Sequence, residues 1–490
     1  MLQFLTFLGL TAAIAFITWL HCRKADRRGK DTREYFLAGG GLTWVFVAGS
    51  LTLTNINTDT LVGWNGNQML LVVWWELFGV LGLILLARVF LPVYYKHNCT
   101  TVTELLERRY NSGALRATVA TLFLLGNVFV FLPIMLYTSS LFLKALFGLE
   151  ISLFAIATGT AIIGAAYAIF GGLRAVAISD TYSGVLLFGM ALLVSWLALD
   201  RVGWSFDAVP AERLTMIGGS DSLVPWPILI TGMILWQIYY WSTNQTITQR
   251  ALAATSLKEA QRGCYAAAVI RATIVPVVVI IPGLCAYQLL GPLGDTTYGT
   301  IVREVLPAGL SGAFAAAMVA ATMTSFNSTL NSSAALYVCD LHLRYFNPSA
   351  SVPRLSVVTS MLFAILGVAL VPAYIGAESI IQLIQELIGV FSIPILSAFV
   401  IGFLFDRIDA RAVIATLVFG ALAYWSGTSG WGMLHKANPE SILRPLHFVH
   451  VGAMVLLLNT AFALTVNRLV FGRTAVLRRS LLQTEPTPQT

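Results

Sequence analysis

The sequence predicts an all-α membrane protein that crosses the bilayer about thirteen times. Of its 490 residues, 57% are hydrophobic and only 11% are charged, whereas charged residues make up about 25% of a typical soluble domain. Apolar stretches long enough to cross a bilayer recur along the whole chain. Two of these stretches are interrupted by polar residues, and polar backbone survives at membrane depth only where it is buried in protein or lines a cavity.

The spans are predicted from apolar runs that are long enough for a helix across the hydrocarbon. They comprise residues 3–20, 43–66, 69–95, 117–146, 151–171, 175–199, 225–243, 264–290, 309–338, 355–375, 379–405, 412–428 and 446–467. The first span is followed, not preceded, by a basic cluster that runs from Arg23 to Arg33. This order is the reverse of a signal peptide, so we expect the span to remain, with the N-terminus outside.

The basic residues also predict the orientation of the other spans. With the cluster after the first span in the cytoplasm, alternating crossings place most of the 30 Lys and Arg residues in cytoplasmic loops. The same alternation places the C-terminus in the cytoplasm, as expected for a protein of the inner or plasma membrane. The net charge of +7 is dispersed over many short loops, a pattern that indicates topology and no nucleic-acid partner.

Several function classes are disfavoured by the sequence. The longest loops, 200–224 and 429–445, are too short to hold an enzyme domain. No Gly-x-x-x-x-Gly-Lys-Ser/Thr phosphate-binding loop is present, which argues against an ATP-driven pump. The five cysteines show no spacing typical of a metal or disulfide framework. We therefore expect no enzymatic activity, and no obligate protein partner is evident.

Polar islands interrupt two of the spans at matching places. Residues 52–60 read Thr-Leu-Thr-Asn-Ile-Asn-Thr-Asp-Thr, and residues 242–250 read Ser-Thr-Asn-Gln-Thr-Ile-Thr-Gln-Arg. When the first span is set aside, the islands lie in the first and sixth remaining helices, which are equivalent positions of two five-helix halves. Such a pair indicates a transporter built from inverted repeats, with its solute at the breaks. Alternatively, the second island is the cytoplasmic end of its helix.

A third polar segment, residues 321–333, contains nine hydroxyl or amide side chains and no charge. Ala321, Thr324, Ser325 and Ser328 share one face of a helix, so that their oxygens converge. Na⁺ prefers oxygen ligands, and neutral oxygens avoid a bare carboxylate in hydrocarbon when the ion leaves. The segment therefore predicts a sodium site. The alternative is a helix interface packed with small polar residues, which is common in membrane bundles.

Four carboxylates lie within predicted spans, namely Asp59, Glu76, Asp180 and Glu386. Ionisable groups at this depth are rare and usually face the interior of the bundle in functional roles. Each carboxylate has the alternative of a structural role, as a partner of a helix end or of Arg271. That structural role is assigned more readily to Asp59 and Glu386 than to the other two.

Short motifs identify a family resemblance from about residue 31 to residue 406. They are Tyr35-Phe36-Leu37-Ala38-Gly39-Gly40, Asn55-Ile56, Trp75-Glu76, Gly171-Gly172-Leu173 leading to Asp180, Asn244-Gln245 with Gln249-Arg250, and Leu330-Asn331-Ser332 with Asp340. In order and spacing they resemble the sodium/solute symporter family, especially its sugar-transporting branch.

The resemblance implies a LeuT-type fold, in which two inverted repeats of five helices follow one extra N-terminal helix and precede two extra C-terminal helices. The implied segments are an N-terminal helix and basic loop (1–42), the first repeat (43–199), an extracytoplasmic loop (200–224), the second repeat (225–406), two C-terminal helices (407–467) and a cytoplasmic tail (468–490).

The resemblance also implies where sodium binds. The carbonyls of Leu53, Ile56 and Ala321 and the hydroxyls of Thr324 and Ser325 match the principal sodium site of the family. Asp180, Asn327 and Ser328 match residues around a second sodium in some members. Where those members have a hydroxyl, this chain has Asn327, so a second ion is an open question.

In the sugar branch, solute hydroxyls are held by residues that match Glu76, Asn244 and Gln385. Three departures from the branch are also expected to matter. Thr60 stands where Gln or His is usual, Thr246 stands where an aromatic gate is usual, and a lysine is missing near Thr273. The solute site is therefore predicted to comprise Thr60, Glu76, Asn244, Thr246 and Gln385, in a pocket that is roomier or differently filled.

The sequence thus predicts a sodium-coupled symporter that imports a small polar solute, most readily a sugar, by alternating access. Its expected partners are Na⁺, the solute and the lipid bilayer. A sugar acid, a polyol or another carboxylated or polar metabolite is the alternative solute. A sodium-independent transporter and a ligand-binding sensor are the alternative functions.

Overall fold

A computed structural model describes residues 2–25, 41–53, 55–377, 379–430 and 446–478, and the structure is 81% helical. The Tyr35–Gly40 motif, most of the first basic cluster and the polar C-terminal tail lie outside the described residues. The helices of the first half are α1 Leu2–Ala25, α2 Trp44–Leu53, α3 Thr58–Gly66, α4 Val73–Leu85, α5 Leu91–Lys96, α6 Val102–Tyr110, α7 Gly113–Gly126, α8 Leu132–Phe147, α9 Leu153–Arg201 and α10 Ala211–Leu214.

The second half continues with α11 Trp226–Thr231, α12 Met233–Ile238, α13 Gln245–Leu252, α14 Leu257–Leu290, α15 Thr297–Val305, α16 Ala308–Ala335, α17 Leu343–Tyr345, α18 Val352–Leu370, α19 Ile380–Leu404, α20 Ala410–Trp425 and α21 Phe448–Leu469. Short 3₁₀ segments cover Leu70–Val72, Gly294–Thr296 and Val371–Tyr374. Two short strands, β1 Phe405–Asp406 and β2 Val476–Leu477, pair antiparallel, with Phe405 opposite Leu477.

Five π-helical turns interrupt the longer helices, at Leu86–Phe90, Asn127–Phe131, Tyr239–Thr243, Leu336–His342 and Ser426–Gly430. A π turn holds one more residue than an α turn and is often found at functional sites. Two of these turns, Asn127–Phe131 and Tyr239–Thr243, contribute aromatic side chains to a cavity that is described below.

Within the described residues, nine helical segments are long and apolar enough to cross a membrane. They correspond to nine of the predicted spans, namely all but the first, second, fifth and seventh. The number of thirteen crossings stays a prediction, as does the orientation of the termini.

One predicted boundary differs from the structure. The sequence predicts two spans, 151–171 and 175–199, whereas the structure has the single helix α9, Leu153–Arg201. A helix that continues satisfies every backbone N–H and C=O in its interior, and Gly171 and Gly172 lower helix propensity without preventing a helix. The side chain of Asp180 lies outside the described part of this helix.

Both predicted interruptions are breaks between helices. Helix α2 ends at Leu53 and α3 begins at Thr58. Helix α12 passes through the π turn Tyr239–Thr243 into an extended residue, Asn244, before α13 begins. The alternative that the second island is a helix end is therefore wrong. The two breaks also lie together, because the hydroxyl of Tyr240 donates a hydrogen bond to the side-chain oxygen of Asn55.

Helix α16 lies in the interior of the bundle and packs against α1, α8, α9 and α18. Its C-terminal half carries the polar segment 321–333, and these side chains are buried almost without exception. On the other side of the broken helices, α14 packs against α2, α3 and α4. The C-terminal helices α20 and α21 pack on α19 and on each other. The broken helices are thus enclosed by α4, α14, α16 and α19.

Candidate functional site

Two cavities lie beside the helix breaks. The larger has a volume of about 100 Å³, and α3, α4, α14, α19 and the segment from Trp236 to Trp241 form its walls. Its polar lining is contributed by Asn55, Asp59, Thr60, Glu76, Gln237, Tyr240, Arg271 and Gln385. Four tryptophans, Trp64, Trp75, Trp236 and Trp241, line the same space. An apolar wall with a few convergent polar groups is typical of a site for a small molecule.

The smaller cavity, about 30 Å³, lies next to the larger one and is lined by residues that include Asn57, Asn244, Thr246 and Thr329. Four residues line both cavities, namely Asn55, Asp59, Phe131 and Tyr240. The hydrogen bond between Tyr240 and Asn55 therefore lies in the partition between the two cavities.

The five residues predicted to bind solute are divided between the cavities. Thr60, Glu76 and Gln385 line the larger cavity, and Asn244 and Thr246 line the smaller one. Four of the five already have partners in the protein, and that of Glu76 is Arg271. Thr60 Oγ1 donates to the carbonyl of Asn55 at 2.6 Å, Asn244 Oδ1 accepts from the Thr246 amide at 2.8 Å, and Thr246 Oγ1 lies 2.7 Å from Ser332 Oγ.

A buried ion pair, which the sequence analysis gave only as an alternative role for the carboxylates, forms one wall of the larger cavity. Arg271 of α14 donates to the carboxylate of Glu76 of α4, and both side chains are almost fully buried. The guanidinium also lies over the ring of Trp241, 4.5 Å from its centroid. Trp241 Nε1 donates to Gln237 Oε1 at 3.0 Å, and Gln237 Nε2 donates to the Trp75 carbonyl at 3.1 Å. Gln237 thus fixes the tryptophan ring that covers Arg271.

Two of the departures from the sugar branch can be located in the structure. The aromatic group and the cation that were missing at Thr246 and near Thr273 are present at other positions. Tyr240 supplies an aromatic ring between the cavities, and Arg271 supplies the cation, whereas Thr273 points away from the cavity and is exposed. The only sequence signal was the depth of Arg271 within an apolar span. The helical periodicity of α14 could have placed Arg271 beside Glu76 only if the packing of α4 against α14 had been known.

The residues predicted to bind sodium lie beside the first break. In α16, Thr324 Oγ1 donates to the carbonyl of Ala321 at 2.8 Å, and Ser325 is buried. Thr58, the first residue of α3, has its hydroxyl 2.9 Å from that of Thr322. Because this contact joins the break to the neighbour of Ala321, the carbonyls of Ile56 and Ala321 belong to adjacent backbone segments.

The candidate second ion site has two oxygens without hydrogen bonds. Asn327 Oδ1 and Ser328 Oγ are both buried, and neither has a partner among the described residues. A buried polar oxygen without a partner costs about 1–3 kcal/mol. A cation that accepts oxygen ligands would remove this cost. The third predicted member, Asp180, has its side chain outside the described residues, so its contribution stays a prediction.

Comparison with known proteins gives three findings. The profile of the sodium:solute symporter family matches residues 35–420. The chain is 36% identical over 450 residues to the uncharacterized symporter YidK of Escherichia coli (strain K12), covering 86% of this chain and 78% of that protein. It is 30% identical over 436 residues to a sodium/glucose cotransporter of Vibrio parahaemolyticus, covering 80% of this chain and 79% of that protein.

Among solved structures, a Na⁺-coupled sialic acid symporter in a substrate-bound, outward-open state has a TM-score of 0.76. It shares 20% sequence identity and covers 94% of this chain, with 98% of its own chain covered. At this identity the likeness concerns the fold. The predicted fold class, an all-α membrane protein of the LeuT type, is confirmed.

Proposed function

Because this chain belongs to the sodium:solute symporter family, it is an integral membrane symporter coupled to Na⁺, and we propose that its solute is a neutral polyhydroxylated molecule, a sugar or a polyol. The larger cavity is the proposed solute site, and the segment of α16 beside the first helix break is the proposed sodium site. Import by alternating access would expose the two cavities to opposite sides of the membrane in turn.

The observation that carries the solute proposal is the buried pair of Glu76 and Arg271. Its carboxylate accepts and its guanidinium donates, and Gln385 on the facing helix α19 can do both. Vicinal hydroxyls also donate and accept, so they can bond to this wall without adding a charge. Trp64, Trp75, Trp236 and Trp241 add apolar surface to the walls of the same cavity.

A sugar acid is the second candidate, and Arg271 is the observation that favours it. A guanidinium in a cavity is a suitable partner for a carboxylate. However, Arg271 is already paired with Glu76. A solute carboxylate would have to displace Glu76, which would leave a buried carboxylate without its cation, at a cost of about 3–5 kcal/mol. The neutral solute requires no such exchange and is therefore the proposed one.

For the ion, we infer that Na⁺ binds the hydroxyls of Thr324 and Ser325 with the carbonyls of Leu53, Ile56 and Ala321. Two facts support this set. The helix break frees carbonyl groups at the end of α2, and the hydroxyl contact between Thr58 and Thr322 brings the break next to α16. Neutral oxygen ligands suit a cation that must leave again on each cycle. The unpartnered oxygens of Asn327 and Ser328 are the candidate second site.

The experiment is uptake into proteoliposomes under an inward sodium gradient, with a panel of neutral sugars, polyols and sugar acids. We expect neutral hydroxylated solutes to be accumulated, and accumulation to stop when choline replaces sodium. Single deoxy analogues of the best solute should bind about ten- to a hundredfold more weakly, because each missing hydroxyl leaves a buried group unpaired. If carboxylated solutes outcompete every neutral sugar and polyol, the solute proposal is wrong and the symporter assignment stands.

A further inference from the structure

The larger cavity is lined by two carboxyl groups and only one cationic group. Three charged side chains line it, Asp59, Glu76 and Arg271. Glu76 and Arg271 neutralise each other as an ion pair. Among the described residues, no ion pair involves Asp59, and its partners are the side chain of Asn57 and its own backbone amide. The site therefore contains one carboxyl group for which the described residues around it provide no cation.

Asp59 also has bonding capacity to spare. Its Oδ1 is buried and has no hydrogen-bond partner in the described part of the chain. A first-turn acid often serves only to stabilise a helix N-terminus, and the sequence favours this role for Asp59. Yet α3 already has a cap, because Asn57 Oδ1 accepts from the amide of Thr60 at 3.3 Å. Asp59 also lies on the wall of both cavities, where a ligand can reach it. A residue that only caps a helix does not need this access.

The other buried cation of this region is Arg250. Arg250 of α13 donates to Ser50 Oγ at 3.0 Å and to the carbonyl of Thr246. It lines neither cavity. Tyr240 and Phe131, whose side chains are uncharged, line both cavities together with Asp59.

We propose that Asp59 makes the solute site select a protonated amine, so that the preferred solute class is an amino sugar or amino polyol. The proposal rests on the function proposed above and deepens it. The ammonium group of the solute faces Asp59, and its hydroxyls meet the Glu76–Arg271 pair. A charge-assisted hydrogen bond in a dry site is about twice as strong as a neutral one. A solute carboxylate at the same place would meet a like charge.

The expected order of affinity is amine, then hydroxyl, then carboxylate. It can be measured as competition for uptake in proteoliposomes by matched pairs: glucose with glucosamine, galactose with galactosamine and mannose with mannosamine. N-acetylglucosamine and glucuronate are the neutralised and the anionic controls. In the parent protein, we expect at least one amine to bind about tenfold more tightly than its hydroxyl partner, which corresponds to about 1.4 kcal/mol. Acetylation of that amine should remove the advantage.

Two variants test whether Asp59 is responsible. Asp59→Asn keeps the shape and removes the charge, so the ratio between amine and hydroxyl should fall to about one. Asp59→Glu keeps the charge and should retain a preference for the amine. The matched control is Asp207→Asn, which removes a carboxylate from an exposed loop and should leave the ratio unchanged. Because four tryptophans line the cavity, solute-induced quenching of tryptophan fluorescence reports binding even where transport is lost.

The outcomes separate this inference from the proposed function. If neutral sugars compete but the amine has no advantage, or if Asp59→Asn keeps that advantage, the inference is overturned and the sugar proposal stands. If Asp59→Asn changes the sodium requirement and not the ratio, Asp59 belongs to the ion site and the inference is also overturned. If no neutral or aminated sugar competes and glucuronate does, both proposals fail.

Discussion

Removal of either partner from the buried Glu76–Arg271 pair leaves a charge without compensation. Glu76→Gln is expected to destabilise the protein by about 3–5 kcal/mol, and the double change Glu76→Gln/Arg271→Gln by less, since it buries no bare charge. Thermal unfolding in detergent measures both. The control is Arg262→Gln, which breaks a pair with Glu259 in which the arginine side chain is 55% exposed; a change there should stay within about 0.5 kcal/mol. If Glu76→Gln and Arg262→Gln destabilise the protein equally, the burial of the Glu76–Arg271 pair is contradicted.

Solute affinity should respond differently from stability. Both Glu76→Gln and the double variant lose the charged acceptor of the proposed solute site, so each is expected to weaken solute binding about tenfold or more. Competition at saturating sodium measures this loss. If the double variant regains parental affinity together with stability, the pair is structural and does not touch the solute.

Sodium coupling is expected to depend on Thr324. Thr324→Ala removes one oxygen from the proposed ion site, so the sodium concentration for half-maximal uptake should rise about tenfold. The matched control is Thr416→Ala, because Thr416 Oγ1 likewise donates to a carbonyl of its own helix, at 2.8 Å from Ala412, and is buried outside the cavities. Sodium dependence that shifts equally in both variants would remove Thr324 from the ion site.

Sequence patterns predict single site residues where the local context is diagnostic. Glu76 and Gln385 lie on the cavity wall as predicted, because an ionisable or amide group within an apolar span must face the interior. Arg271 and Gln237 were missed because their position depends on which helices are neighbours. That information resides in tertiary packing, and no local periodicity in α12 or α14 reveals it.

The two broken helices are joined by the hydrogen bond from Tyr240 to Asn55. Tyr240→Phe removes this bond and leaves the side-chain oxygen of Asn55 unpaired. While the partition between the two cavities is closed, this unpaired oxygen costs about 1–3 kcal/mol. We expect bound solute to exchange up to about tenfold faster between the cavities, with little loss of protein in the membrane. Efflux of preloaded solute from proteoliposomes is the measurement. Tyr265→Phe, which removes a hydroxyl on the outer face of α14 that bonds to Arg88, is the control and should leave efflux unchanged.

A carboxylate at one end of the bundle ties three elements together. Asp295, in the segment between α14 and α15, accepts from the Ile380 amide at 2.9 Å and lies against Gly66 at the end of α3. A Cβ at Gly66 would lie 2.8 Å from Asp295 Oδ1, so only glycine allows this approach. The contact holds the N-terminus of α19 beside α3.

This contact is expected to depend on pH. Burial raises the pKa of Asp295 to about 6, although the hydrogen bond from Ile380 lowers it. Since the folded protein binds the proton more tightly than the unfolded chain, the stabilising contribution is complete below about pH 4 and falls as the pH rises through 6. The melting temperature of the parent should therefore fall more between pH 4 and 7 than that of Asp295→Asn. Subtracting the melting temperature of the variant from that of the parent at each pH removes the contribution of other titrating groups. If the two melting temperatures change in parallel with pH, the assignment to Asp295 is contradicted.

At the level of elements, the breaks in α2/α3 and α12/α13 were predictable because nearly unbroken polar runs cannot continue an apolar span. The continuous helix α9 was not predictable from the sequence, because a pair of glycines permits a turn without requiring one. Only the packing of α9 against α8, α14 and α16 decides between the two.

For the whole molecule, the Glu76–Arg271 pair and a neutral solute contribute no net charge to transport, so each cycle moves the charge of its sodium ions. An inside-negative potential of 100 mV then contributes about 2.3 kcal/mol for each sodium ion. With a neutral sugar as the solute, we expect uptake to be stimulated by a potassium diffusion potential, with a charge-to-solute ratio of one, or of two if the oxygens of Asn327 and Ser328 bind a second ion. A protonated amine as the solute would add one charge to each ratio. Asn327→Leu should lower a ratio of two to one for the neutral sugar, and uptake that does not respond to the membrane potential would contradict coupling by net sodium movement.

The π turn at Tyr239–Thr243 has a consequence for how this protein can evolve. The turn contains one residue more than an α turn, and it carries Tyr239, Tyr240 and Trp241 on the cavity wall. Loss of a single codon there would convert the turn to α and rotate the aromatic residues by about 100° relative to the preceding helix. A lineage can therefore acquire a new solute in one deletion, whereas stepwise substitution would need several changes. We therefore expect solute specificity to diversify through insertions and deletions of one residue at this turn more than through substitutions around it.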